Sequence, residues 1–136
     1  MSEYKPFTEL TVWKKAREFK KEIEALAKTF PAEEKYRLAD QIINSVRSIN
    51  ANIAEGHGRY GYRDQIKFCM NARGSLNETL NHLIDAYDCS YITKEQLLIH
   101  KESFNEVMAL LNGYIIYLRK LLRNEKNPLD NIPEKR

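Results

Sequence analysis

Residues 52–63 read N-I-A-E-G-H-G-R-Y-G-Y-R. Gly56, Gly58 and Gly61 form a G-x-G-x-x-G, with Glu55, His57 and Arg59 set between and beside the glycines. Two chemistries suit these residue types. A glycine-rich turn cradles a phosphate when a strand feeds it and a helix N-terminus receives the anion. A Glu and a His two positions apart serve as acid and base when a cleft, a shifted pKa and a substrate-orienting partner support them. The residues before the glycines argue against the phosphate loop. Ile42, Val46, Ile49 and Ile53 recur at helical spacing, so a helix enters the turn, not a strand. The stretch reads as a connector. Gly56 ends one helix, and Gly61 caps the next with Asp64 reaching back. A buried Glu55 is expected, joined in a polar network with Asn52, Arg59 or a neighbouring subunit.

Other candidates are sparser. His82 and Asp85 stand at i, i+3 and can share a helix face, but two ligands do not make a metal site and no Glu-x-x-His pattern recurs. His100 stands alone. Ser75, between Gly74 and Leu76, carries no nucleophile signature and reads as a small residue that lets helices approach. No cofactor, metal or catalytic residue is expected, and the chain is not read as an enzyme. The cations are more informative. Arg59, Arg63, Lys67 and Arg73 fall close together, with Tyr60 and Tyr62 among them as rings able to stack on bases. These four are the candidate nucleic-acid contacts. Lys14, Lys15, Arg17, Lys20, Lys21 and Lys28 load the first helix, where Glu18, Glu22 and Glu24 oppose them and make an ordinary solvated face.

Four amphipathic stripes must position these residues. The first is Val12, Ala16, Phe19, Ile23, Leu26 and Phe30, in a helix that Thr8 or Thr11 caps and Pro31 stops. Pro31 opens the second helix, with Glu33 and Glu34 near its positive end. That helix carries Leu38, Ala39, Ile42, Val46, Ile49 and Ile53. The third stripe is Ile66, Cys69, Met70, Leu76, Leu80, Leu83 and Tyr87. Thr93 and Gln96 spell a capping box that opens the fourth helix, whose seam is Leu97, Phe104, Met108, Leu111, Ile115, Leu118 and Leu122. Nothing reads as a strand. The expected fold is all-α, an antiparallel up-down-up-down four-helix bundle over residues 1–123, followed by a polar, flexible tail over 124–136.

The fourth helix has a second seam: Val107, Leu110, Tyr114, Tyr117 and Leu121. Two seams make the apolar arc wider than one core needs, so this set is the expected oligomer interface.

Three runs carry a family resemblance: S-I-N-A-N-I-A-E-G-H-G-R from Ser48 to Arg59, A-R-G-S-L-N-E-T from Ala72 to Thr79, and L-T-V-W-K-K-A-R from Leu10 to Arg17. Over residues 7–122 the chain resembles the four-helix-bundle proteins of ribosomal RNA gene intervening sequences. It departs from their pattern at Asn50, where Pro is usual, and at Gly61, where Ser is common. The resemblance implies a ring-shaped homo-oligomer, commonly a pentamer. It also implies distant kinship with the basic accessory protein of diversity-generating retroelements, which engages a reverse transcriptase and nucleic acid. It implies no settled activity.

The bulk numbers bound the rest. The 136 residues are 43% hydrophobic and 30% charged, enough for one domain with its own core. A net charge of +3 permits RNA or DNA without demanding it. Cys69 and Cys89 form no C-x-x-C and indicate a reducing compartment. No signal pattern or spanning segment is present, so a cytoplasmic protein with no membrane contact is expected. The expected function is a non-enzymatic binding or scaffold protein, a ring that contacts RNA, DNA or a nucleoprotein through a basic surface. The alternative is a protein-protein adaptor with no nucleic-acid binding.

Overall fold

A computed structural model describes residues 5–130, with side chains as far as residue 125. It is all-α: helices α1 (Thr11–Ala27), α2 (Leu38–His57), α3 (Tyr62–Asp88) and α4 (Lys94–Asp130), with no strand among the described residues. Each helix packs on the next, and α4 on α1, while the backbones of the diagonal pairs α1/α3 and α2/α4 stay apart. That closed cycle is compatible with a bundle around one core. Partner numbers fall along one helix as they rise along its neighbour. Ser45 meets Thr79 and Ser48 meets Ser75 across α2 and α3, and Arg73 meets Asn112 across α3 and α4. Helix α4 runs past residue 123 to Asp130; the remainder of the 124–136 segment lies outside the described residues.

The first two stripes are buried at every position named from the sequence, from Val12 to Phe30 and from Leu38 to Ile53. The third is rotated. Its buried row is Cys69, Ala72, Leu76, Thr79, Leu83 and Ala86, with His82 beside it. Ile66, Met70 and Leu80 are only half-buried, and Tyr87 is exposed. The cause is close packing on α2. The Ser45 and Thr79 hydroxyls bond at 2.8 Å, and the Ser75 hydroxyl donates to Ser48 at 2.9 Å. Small hydroxylated residues let the two backbones approach while satisfying their own polar groups. The larger side chains are turned to the flanks.

Helix ends depart from expectation where packing overrides side-chain chemistry. Neither Thr8 nor Thr11 caps α1. Leu10 holds the N-cap position with no side-chain bond, after a 3-10 turn at Phe7–Glu9. The Phe7 ring meets Trp13 edge-on at 5.2 Å and fixes the entry of the chain instead. Pro31 opens a 3-10 turn, Ala32–Glu34, rather than α2. The Glu34 carboxylate then accepts the Leu38 N–H at 3.2 Å, acting as the missing cap four residues before α2 begins. The capping box forms as read: Thr93 N–H donates to Gln96 Oε1 at 2.8 Å, and Gln96 N–H to Thr93 Oγ1 at 3.1 Å.

Gly56 does not end α2. It lies inside the helix, two residues before the C-cap Gly58, and no glycine has positive φ. A Cβ on Gly56 would sit 2.8 Å from Phe68 Cβ and 3.2 Å from the Gln65 carbonyl oxygen. Its role is contact: α3 crosses here too closely for any side chain. Gly61 does hold the N-cap of α3, at φ −92° and ψ 145°, but Asp64 does not cap back and turns to Arg59 at 3.8 Å.

Candidate functional site

Two features meet at the end of the bundle formed by the α2–α3 turn. One is an open cleft of about 780 Å³; the other is a row of cations on α3 and α4.

The cleft exists because α1 is short there. Lys15 of α1 pairs with Glu106 of α4, and Glu22 with His100. Followed at that register, the start of α1 at Thr11 falls level with about one turn past Glu106. Beyond that level α4 has no α1 beside it. Tyr114, Tyr117 and Leu121 therefore face Lys5, Leu10 and the turn residues His57 to Tyr62 across a gap. His57 ties this end together. It bonds the Lys5 carbonyl through Nε2, and the Tyr114 hydroxyl lies 3.5 Å from Nδ1. The carbonyl can only accept, so Nε2 donates to it. Burial pushes the Tyr114 hydroxyl up to about 12. Both ring nitrogens of His57 are thus engaged in holding the N-terminal segment and α4 to the turn. Glu55 accepts from Arg59 at 2.8 Å, the expected pairing, but its side chain is 53% exposed and not buried, because the pair lies on the outer surface of the turn. His57 and Glu55 hold structure.

The four cations named from the sequence separate. Arg59 is held by Glu55 and Asp64 and lies over the Phe68 ring at 4.7 Å. Arg73 donates to Asn112 Oδ1 at 2.9 Å, inside the subunit between α3 and α4. Arg63 and Lys67 are exposed, one helical turn apart, with no ion pair among the described residues. Their companions are on α4. Arg119 lies against Met70, with its Nη2 4.0 Å from the Met70 sulfur, one turn along α3 from Lys67. Arg123 stands one turn farther along α4, in the direction in which α3 leads back to Lys67 and Arg63. Both are exposed and likewise lack an ion pair among the described residues. Like charges at i, i+4 destabilise a helix by a few tenths of a kcal/mol. Two such pairs side by side, with no carboxylate bonded to either, make an anion-seeking face. Sequence reasoning missed Arg119 and Arg123 because they lie nearly sixty residues from Arg63 and inside an apolar-rich stretch. The i, i+4 repeat within K-K-L-L-R-type surroundings, here R-K-L-L-R, was the available signal.

The second seam of α4 also divides. Val107 is 1% exposed and belongs to the subunit's own core, so it leaves the set of expected interface residues. Leu110, Tyr114 and Leu121 are half-buried, and the last two line the cleft. Tyr117 is 54% exposed. The sequence reading passed over Ile116 at 65%, together with Leu98 and Ile99, which are also exposed. Ala109 and Gly113 lie exposed between these ends, and Gly113 has no neighbour near its Cβ position.

The metal reading finds no cluster. His82 is buried with Nε2 3.4 Å from Glu78, Asp85 is exposed, and no group of three metal-ligating side chains occurs among the described residues. Burial pushes the Cys69 thiol up to about 11, so it is an inert core residue. No helix among the described residues is long and apolar enough to cross a membrane.

Comparison with known proteins places this architecture. Residues 8–113 match the 23S rRNA-intervening sequence protein family. A solved structure of a protein of unknown function, from the S23 ribosomal protein family of Bacteroides thetaiotaomicron VPI-5482, is similar at 32% identity and a TM-score of 0.72. The likeness covers 77% of this chain and 98% of that one. No curated protein matches.

Proposed function

The chain belongs to the 23S rRNA-intervening sequence protein family, and from that premise we propose that it is a non-enzymatic scaffold that binds nucleic acid through the α3–α4 cationic face. The four helices are taken as an up-down-up-down bundle, and several copies as a cyclic homo-oligomer, most simply a pentameric ring. The observation that carries the reading is the grouping of Arg63, Lys67, Arg119 and Arg123 without bonded carboxylates. Three of the four are arginines, whose planar fork matches a phosphate. Repeated around a ring, four modest charges become a continuous field, and each neutralised phosphate releases counterion. The exposed apolar residues of α4, Leu98, Ile99, Ile116 and Tyr117, support assembly through its outer face. The same residues favour the second reading, a protein-protein adaptor.

A salt titration separates the two. At about 50 mM salt RNA or DNA binds, and raising salt to about 200 mM weakens binding by roughly a hundredfold for four contacts. Arg63→Glu, Lys67→Glu, Arg119→Glu and Arg123→Glu together abolish binding while light scattering reports the wild-type particle size. Arg73→Gln, by contrast, changes affinity little. A flat titration at about 50 mM salt with both RNA and DNA overturns the nucleic-acid reading and leaves the adaptor.

A further inference from the structure

We propose that the cleft at the α2–α3 turn receives an unpaired base, so that the protein selects single-stranded over double-stranded nucleic acid; this rests on the nucleic-acid reading of the neighbouring face. Three observations meet in it. The first is the lining. Tyr60, Tyr62 and Tyr114 border the cleft, and Tyr114 stacks on Tyr117 with ring centres 6.3 Å apart and planes at 24°. Tyr60 stands fully exposed at the tip of the turn, with an aromatic face open to solvent. Among the described residues no side chain covers that ring. Any base offers a π-face to such a ring, so stacking tolerates all sequences.

The second observation is charge. Lys5 and Arg59 line the cleft and no carboxylate does, although Arg59 is already paired with Glu55 and Asp64. A volume of about 780 Å³ is within the range of pockets that take small organic molecules and leaves room for a nucleoside. The third is continuity. Tyr62 of the cleft is followed directly by Arg63 of the cationic face, and Gln65 stands two residues before Lys67. One strand can therefore lay phosphates over Arg63 and Lys67 and turn a base back over the start of α3. A duplex cannot do this without unpairing, because its bases are already stacked on each other.

The test uses the full-length protein and fluorescence anisotropy with short homopolymer RNA and DNA strands and the matching duplexes, at about 50 mM salt. Single strands of either sugar bind about tenfold tighter than the duplexes, the size of one base–aromatic stack. Tyr60→Ala removes most of that preference, Tyr60→Phe retains it, and neither changes duplex affinity or its salt dependence. Tyr60 packs on nothing, so both variants fold. Equal affinity for strands and duplexes overturns the inference while the nucleic-acid reading stands. So does a single-strand preference untouched by Tyr60→Ala. Absence of any binding overturns both.

Discussion

The two long-helix turns solve the same problem in opposite ways. The α3–α4 turn is closed by bonds from the Cys89, Ser90, Tyr91 and Thr93 N–H groups. Ser90 takes a left-handed φ of 64°, Tyr91 N–H reaches back to the Ala86 carbonyl and Ser90 N–H to that of Tyr87, the Schellman arrangement. Thr93 and Gln96 then cap α4 reciprocally. Tyr91 donates to Glu34 at 2.6 Å, and its ring lies 5.8 Å from Phe30, so this turn is also fastened to the α1–α2 connection. The α2–α3 turn has no side-chain cap on α3, a fully exposed Tyr60 and an open cleft beside it. What it has is Gly56, which lets the backbones meet. One turn uses its polar and aromatic groups to close the fold. The other closes by backbone proximity with His57 and Arg59 as ties, leaves Tyr60 facing outward, and has both candidate binding features at its end. Binding residues collect where the scaffold does not consume them.

Substituting Gly56 is the strongest way to break this contrast. Gly56→Val forces side-chain atoms into Phe68 and the Gln65 carbonyl and costs about 3 kcal/mol, more than the helix-propensity gain returns. Urea midpoints at constant m-value measure it. A loss below about 1 kcal/mol would show that the α2–α3 turn can open without penalty.

A smaller effect is expected at the closed turn, and it depends on pH. The Tyr91 hydrogen bond, with help from the Leu38 N–H, holds the Glu34 carboxyl below its ordinary 4.5. The same bond pushes the Tyr91 hydroxyl up to about 12 from 10.0. A lowered carboxyl stabilises the fold above its unfolded pKa, and that contribution is lost as pH falls through the folded value. A raised phenol stabilises below 10.0, and its contribution is lost as pH rises through about 12. Tyr91→Phe therefore lowers stability at neutral pH and flattens both the acid and alkaline limbs of a stability-pH profile. An unchanged acid limb would show that Glu34 is held by Leu38 alone.

The smallest pair sharpens the comparison at the two N-caps. Thr93→Ala removes a cap bond and costs about 1 kcal/mol. Gly61→Ser adds one where none exists, in an extended backbone with open space at the Cβ position, and gains a few tenths of a kcal/mol. Thermal midpoints under one buffer read both. Loss at Gly61 rather than gain would mean that the turn needs glycine for a reason other than capping.

The sequence by itself determined the four helices, the buried rows of α1 and α2, and the Thr93–Gln96 cap, because each depends on spacing within one or two turns. The same local logic placed His57 and the glycines in a connector, where Gly58 and Gly61 do lie, whereas Gly56 and His57 belong to α2. It misjudged α3, since Ala72, Thr79 and Ala86 are small or polar and carry no hydrophobic signal, yet they form the closest face. It also gave Gly56 a terminating role, because a contact from α3 is invisible along α2. Only the tertiary structure decided which cations are paired and which are free. Arg59 and Arg73 find partners at their own positions in space, whereas Arg63 and Lys67 acquire Arg119 and Arg123 from the far end of the chain. Periodicity tells a helix which face to bury; which neighbour covers that face, and where cover runs out, depends on the relative lengths and registers of different helices. Helix α1 begins too late to cover Tyr114, Tyr117 and Leu121, and that mismatch between two helices makes the cleft.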